Sequence, residues 1–131
     1  TLPAVERRVV LAVDDNRDTL QLVKRLLAGT RYTLVATDNP AEAFTLAEQW
    51  SPVTILLDVM LPGIDGWELL ARFREHPGTA HIPLVVCSIL PESELALLLG
   101  AADFLPKPVR REVLLATLDR LTGHESRRAS S

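Results

Sequence analysis

The sequence predicts an α/β fold in which a parallel β-sheet is covered by helices on both faces. Three observations carry that expectation. Five short apolar runs, at 8–13, 32–36, 53–57, 83–88 and 103–105, alternate strictly with five stretches of helical periodicity. Such alternation calls for a parallel sheet, because parallel neighbours need a crossover connection, and the crossovers should be right-handed. The runs at 9–13, 53–57 and 84–87 are apolar at nearly every position rather than every second one, as in strands buried on both faces. The first, third and fourth runs also stop at polar residues, Asp14, Asp58 and Ser88, and Lys107 follows the fifth.

Each element has its own local signature. Residues 1–6 read as a polar lead-in. The strand at 8–13 ends in Asp14-Asp15-Asn16, and Asp15 or Asn16 is placed to cap the helix over 17–28. In that helix Leu20, Val23, Leu26 and Leu27 form the apolar side, and Gly29 is its natural stop. The run at 32–36 is less uniformly apolar and is expected at a sheet edge. Asn39-Pro40 opens the second helix, with Ala43, Phe44, Ala47 and Trp50 as its apolar side and Ser51-Pro52 as its end. After the strand at 53–57, Pro62, Gly63 and Gly66 mark a loop, and Asp65 is placed to cap the helix over 66–75. Spacing assigns Trp67, Leu70, Ala71 and Arg74 to one face of that helix, and His76-Pro77-Gly78 breaks it. A short helix over 92–99 is closed by Gly100; the last, over 109–121, has Val113, Leu114, Leu118 and Leu121 as its core side. Residues 123–131 are polar, aperiodic and read as tail or linker.

Composition excludes several classes. At 131 residues, 47% of them apolar, the chain is one domain with enough apolar side chains for a sizeable core. Fourteen basic against 17 acidic residues give a net charge of −3, and the arginines are scattered, so direct nucleic acid binding is not expected. The single cysteine, Cys87, excludes an internal disulfide framework, fits a reducing compartment and reads as buried packing. No apolar run reaches the roughly 20 residues that span a bilayer, and no signal peptide is visible. A cytoplasmic location without membrane contact is therefore expected. The start at Thr1 rather than Met suggests a piece cut from a larger parent, even a membrane-anchored one.

The strand ends carry the chemistry. In a parallel sheet they share one edge, where open α/β folds bind their ligands. Asp14, Asp15, Asp58, Ser88 and Lys107 should therefore meet. Asp58 could merely cap the following helix, but Asp65 is better placed for that. Three carboxylates crowded together raise one another's pKa unless a cation intervenes. Mg²⁺ fits, because it takes one or two carboxylates and keeps waters that phosphate oxygens can replace. With that charge neutralised, one aspartate can attack phosphorus and carry an acyl phosphate. His76, His81 and His124 lack ligand spacing and read as surface residues.

The stretches Val9-Val-Leu-Ala-Val-Asp-Asp-Asn16, Leu57-Asp-Val-Met-Leu-Pro-Gly-Ile-Asp-Gly66, Ile82-Pro-Leu-Val-Val-Cys-Ser88 and Gly100-Ala-Ala-Asp-Phe-Leu-Pro-Lys-Pro108 together resemble the response regulator receiver domain of two-component signalling, of the chemotaxis-regulator type. The resemblance covers 7–122. It implies a flavodoxin-like, doubly wound (βα)5 sandwich with strand order 2-1-3-4-5. It implies phosphorylation at Asp58 and an Mg²⁺ site formed by Asp14, Asp15, Asp58 and the backbone carbonyl of Met60. Ser88 and Lys107 would bind the phosphoryl group, the Lys107–Pro108 peptide would be cis, and Ser88 with Phe104 would form the switch. The implied partner is a histidine kinase or a histidine phosphotransfer domain. The implied activity is a switch that catalyses only its own phosphorylation and dephosphorylation, not turnover of a diffusible substrate. A receiver-like binding module that signals without phosphate stays open as an alternative. A small aspartyl phosphatase is disfavoured, because such enzymes usually carry an aspartate at the position of Met60.

Two departures from the family pattern carry expectations of their own. Ile89 stands where receivers usually have Ala or Gly, and Met60 and Leu90 are apolar where polar groups often orient water. Restricted access and slow autodephosphorylation are expected. The segment between Ser88 and Gly100 looks about one helical turn short, and it contains Leu95-Ala-Leu-Leu-Leu99. Its face is expected to contact a second copy or a neighbouring domain.

Overall fold

The computed structural model of the chain describes residues 8–123; the expected lead-in, and all of the expected tail beyond Gly123 with His124, lie outside the described residues. Ten elements alternate: β1 (Arg8–Val13), α1 (Arg17–Leu27), β2 (Tyr32–Thr37), α2 (Pro40–Trp50), β3 (Thr54–Leu57), α3 (Gly66–Glu75), β4 (Leu84–Ser88), α4 (Ser93–Leu98), β5 (Asp103–Pro106) and α5 (Arg111–Thr122). The strands are all parallel, in the order β2-β1-β3-β4-β5. This is the expected flavodoxin-like arrangement, with β2 at an edge.

Side-chain alternation along the strands divides the apolar residues between two cores. Leu11, Val13, Ile55, Leu57, Leu84 and Val86 face α2, α3 and α4. Val10, Ala12, Leu56, Val85, Cys87 and Leu105 face α1 and α5. The four residues of β3 are all buried, as a central strand covered on both faces must be. Phe73 is fully buried and stacks on Phe44 with ring centroids 4.4 Å apart, which ties α3 to α2.

The helix starts follow from local chemistry. Asn16, Asn39 and Asp65 each accept backbone N–H bonds at the first turn of α1, α2 and α3. A cap of this kind contributes about 1 kcal/mol. Pro40 occupies the first turn of α2, where its missing N–H costs nothing. The ends of α1 and α4 lead into Gly29 and Gly100, both at positive φ.

Three apolar faces differ from expectation. In α3 the buried residues are Leu69, Leu70 and Phe73, not the set built on Trp67, Ala71 and Arg74. Trp67 is half-buried and packs on the α2–α3–α4 core from its edge as expected, whereas the half-buried Arg74 donates to the Ile82 carbonyl at 3.0 Å. Trp50, expected to pack, is 47% exposed at the last residue of α2. Val113 is exposed, and Thr117 takes a buried place beside Leu114 and Leu118 in α5. His76 is half-buried rather than on the surface, because its Nδ1 accepts the Gly78 N–H at 2.9 Å. The fourth helix is six residues long, as its short segment suggested, and only Ala96 in it is buried. Among the described residues no helix is long and apolar enough to cross a membrane.

Tyr32 fastens β2 to α5: its hydroxyl donates to Asp119 at 2.6 Å. Burial first, and the Asp119 bond second, push the phenol up to about 12. The fold therefore favours the neutral phenol, whose contribution to stability is intact below the ordinary pKa of about 10 and is lost as pH rises through the folded value. Tyr32 is the only tyrosine in the chain, so the phenolate absorbance band reports it alone. The band should rise near pH 12 in the native protein and near pH 10 in strong denaturant. A native midpoint at the ordinary value would show that the phenol is neither buried nor bonded to Asp119 in solution.

Candidate functional site

Backbone pairing carries each charged residue to the same end of the sheet. The Asp14 N–H donates to the Thr37 carbonyl, the Asp58 N–H to the Val13 carbonyl and the Lys107 N–H to the Ser88 carbonyl, each at 3.0 Å. These bonds continue the strand ladders by one residue, so the side chains emerge together where the strands stop. The Lys107–Pro108 peptide is cis, as the resemblance implied.

The Lys107 ammonium lies between two carboxylates, 2.9 Å from Asp14 Oδ2 and 3.0 Å from Asp58 Oδ2. The second oxygen of each aspartate accepts a backbone N–H two residues on, from Asn16 and from Met60, both at 2.8 Å. Asp14 and Asp58 are buried, whereas Asp15 is exposed. The three carboxylates offer oxygens within 4.8 Å of one another, and they are the one such group among the described residues. Ser88 is buried, and its Oγ accepts the Leu90 N–H at 3.1 Å. Phe104 is half-buried against the α2–α3–α4 core, pairing in register with Val86 on the strand that ends at Ser88.

The electrostatics follow from burial. Desolvation raises the Asp14 carboxyl; the Asn16 N–H and Lys107 pull it back, and the Asp58 charge adds to the rise. For Lys107 burial works downward, but its bonds to Asp14 and Asp58 outweigh it, and the ammonium stays above its ordinary value. Three carboxylates face one ammonium, so two negative charges remain uncompensated, which fits a divalent cation with oxygen ligands. Cys87 lies on the opposite face of β4 from Ser88, and burial pushes its thiol up to about 12, leaving it unreactive.

The sequence profile of the response regulator receiver domain matches residues 10–119. This chain belongs to that family. The response regulator PleD of Caulobacter vibrioides is 36% identical over 117 residues, which cover 86% of this chain and 26% of that protein. This receiver therefore spans about a quarter of that relative's length. A response regulator from Chloroflexus aurantiacus superposes with a TM-score of 0.80 at 27% identity, covering 89% of this chain and 98% of that one. The receiver domain of a Pseudomonas aeruginosa sensor histidine kinase, solved with a magnesium ion in its active-site cleft, superposes at 0.77 with 26% identity, covering 89% and 98%.

The fold thus brings together Asp14, Asp15, Asp58 and Lys107, as expected from their strand ends. Ser88 sits at the end of the adjacent strand with its oxygen turned to its own loop. Asn16 and Ile89 line the cleft over Asp58 alongside Asp15, Met60 and Lys107; the sequence marks Asn16 only as a cap. The sequence marks Gly66 only as a loop residue, and its contact has no sequence signal. A Cβ there would overlap the carbonyl oxygen and Cα of Val59, the residue after Asp58. The loop carrying Asp58 and Met60 therefore rests directly on the start of α3. Gly66→Ala should cost about 1–3 kcal/mol in denaturant unfolding and should shift the amide resonances of residues 58–60. An unchanged unfolding midpoint with unmoved resonances would show that the loop is free of that helix.

Proposed function

We propose that the domain accepts a phosphoryl group on Asp58 from a histidine kinase or a histidine phosphotransfer domain. The observation that carries this reading is the arrangement of Asp58 within it: a buried carboxylate facing Lys107, with two further carboxylates in reach of one small cation. Asp14, Asp15 and Asp58, with the Met60 carbonyl, would hold Mg²⁺. When bound, Mg²⁺ supplies positive charge to the phosphoryl oxygens and offsets the acidic excess.

The chain's own groups do the rest. A carboxylate oxygen of Asp58 bonds to phosphorus as the donor's P–N bond breaks. The bonding pair goes to the imidazole nitrogen, which takes up a proton from solvent. The Met60 N–H fixes the orientation of the Asp58 carboxylate. Lys107 is already charged and placed to meet the incoming oxygens, so little reorganisation is needed at transfer. Ser88 accepts from Leu90 and donates to no protein acceptor among the described residues, leaving its O–H available to a phosphoryl oxygen. Movement of Ser88 would free space beside Phe104 on the same face of the sheet and couple the site to α4 and β5. The domain so read occupies 7–122 and modifies only itself.

Intact mass after treatment with acetyl phosphate and Mg²⁺ should show one added phosphoryl group, absent in Asp58→Asn. Two added groups, or one retained in that variant, would place the acceptor elsewhere. The metal has its own check in thermal melting. Mg²⁺ at about 100 times its Kd should stabilise the native protein by about 2.7 kcal/mol, and Asp14→Asn should remove most of that gain. An equal gain in the variant would exclude Asp14 as a ligand.

A further inference from the structure

The two edges of the sheet are not alike. β5 has four residues, carries Asp103 in an ion pair with Arg120, and ends at Pro106, which has no N–H. Charge, proline and shortness are the usual devices that keep an edge strand from pairing with another chain. β2 has six residues, Tyr32-Thr-Leu-Val-Ala-Thr37, and none of these devices; it pairs with β1 alone. The direction of its backbone groups follows from that ladder. The Arg8 N–H donates to the Arg31 carbonyl and the Asp14 N–H to the Thr37 carbonyl. Backbone groups alternate along a strand, so the odd-numbered residues bond β1, and Tyr32, Leu34 and Ala36 turn their groups outward. The Tyr32 N–H is already taken by Thr30 Oγ1 at 3.1 Å. That leaves the Tyr32 carbonyl and both groups of Leu34 and Ala36, and no turn or loop backbone bond among the described residues reaches them.

These outward groups are complementary to a second copy of themselves. Antiparallel pairing about a two-fold axis normal to the sheet keeps like faces together and centres on one residue. With Leu34 at the axis, its N–H and carbonyl meet those of Leu34 in the second copy, and the Ala36 N–H of each strand meets the Tyr32 carbonyl of the other. Beside this edge Lys24, Leu27, Tyr32 and Leu34 line a hollow of about 220 Å³. Leu27, Tyr32 and Leu34 offer apolar surface there, and Lys24 can keep its ammonium in water. The same register sets Leu34 of the second copy against the hollow, whereas pairing centred on Val35 would bring only Ala36. We propose that β2 is a self-association edge, at which two copies of this chain join their sheets antiparallel about Leu34. The strand has no charged residue, so no like charges oppose across the axis. The edge lies across the sheet from β5, and is therefore distinct from the fourth-helix face. One strand and one hollow bury less than the roughly 1,200 Å² of a stable interface, so the dimer is weak, with a Kd on the order of 0.1–1 mM.

Sedimentation equilibrium of the 131-residue chain should give 14.4 kDa when dilute and an average mass rising toward twice that value at about 1 mM. Ala36→Pro removes an outward N–H that the β1 ladder does not use, and should weaken association at least about tenfold. Ala36→Lys, at an exposed position, should do the same by charge while keeping the N–H. Leu98→Ser, on the α4 surface at 82% exposure, should leave association unchanged. Crosslinking reads the register. Cys87, the only cysteine of the chain, is buried. Leu34→Cys therefore adds the one accessible thiol, and across the axis its two Cα atoms would lie about 5.5 Å apart, within disulfide reach. Mild oxidation should yield a covalent dimer. Thr33→Cys, with its copies about 8 Å apart and beyond that reach, should not. A chain that stays at 14.4 kDa throughout, with no crosslink at Leu34→Cys, would overturn the proposal and give the edge to a strand of another protein. Association lost in Leu98→Ser but kept in both Ala36 variants would overturn it in favour of the fourth-helix face. Equal crosslinking through Thr33→Cys would overturn the Leu34 register.

Discussion

Asp14 and Asp58 are held together by backbone hydrogen bonds that their side chains cannot relax. Each N–H completes the ladder of the neighbouring strand, so the two carboxylates must share the end of the sheet whatever their charge. Burial makes that proximity costly, and Lys107 is the group that makes it tolerable. A buried ammonium between two carboxylates gives little net stability compared with an apolar filling. Its value lies in holding charge where charge will be needed. The same constraint fixes the geometry that the proposed phosphoryl group and cation would meet, because positive charge and donors are already aimed at the open end. Stability for the whole must come from elsewhere, and it comes from two apolar cores on either face of β3.

The division between those cores also separates the chemistry from inert neighbours. Ser88 and Cys87 are consecutive on β4, yet they face opposite sides of the sheet. The hydroxyl lies on the side of α4 and Phe104, and the thiol is sealed under α5. One residue of strand period thus decides which polar group takes part in the site. The same logic puts Val59, one residue beyond Asp58, against Gly66, so the loop that presents Asp58 is seated on a helix end and not left to move freely.

Much of this is legible in the sequence. Strand order, parallel pairing and the gathering of Asp14, Asp15, Asp58 and Lys107 follow from alternation and strand ends, since topology acts on whole elements. The cap at Asp65 and the helix opening at Asn39-Pro40 are local and equally readable, while the sequence leaves Asp15 and Asn16 as alternatives for the first cap. Helix faces were less so. In α3 the spacing of Trp67, Leu70, Ala71 and Arg74 is as good a stripe as that of Leu69, Leu70 and Phe73, and only the position of the sheet decides between them. Arg74 illustrates the ambiguity: its long stem packs toward Gly100 while its guanidinium finds the Ile82 carbonyl. Trp50 and Val113 depart from their spacing because a large apolar side chain near a helix end, or on a flank, can stay in water at modest cost. The Gly66–Val59 contact and the cleft-lining role of Asn16 depend on loop paths, for which the sequence holds no period.

The link from the site to the surface runs through the weakest part of the fold. The Ser88 carbonyl receives the Lys107 N–H, and its Oγ receives the Leu90 N–H, so one residue joins the charged cluster to the segment leading into α4. That helix has six residues, no side-chain cap and a single buried side chain, Ala96. A helix this short has no stability of its own and depends on its few tertiary contacts. Those contacts sit at its far end, where the Ala101 N–H returns to the Ala96 carbonyl and the Ala102 N–H joins the Leu84 carbonyl at the start of β4. A change at Ser88 therefore meets little resistance in residues 89–95 and much more beyond them. Local opening free energies differ along a chain for this kind of reason. Residues 89–95, with Ile89 at the cleft, are therefore the part of this segment held by the fewest tertiary contacts.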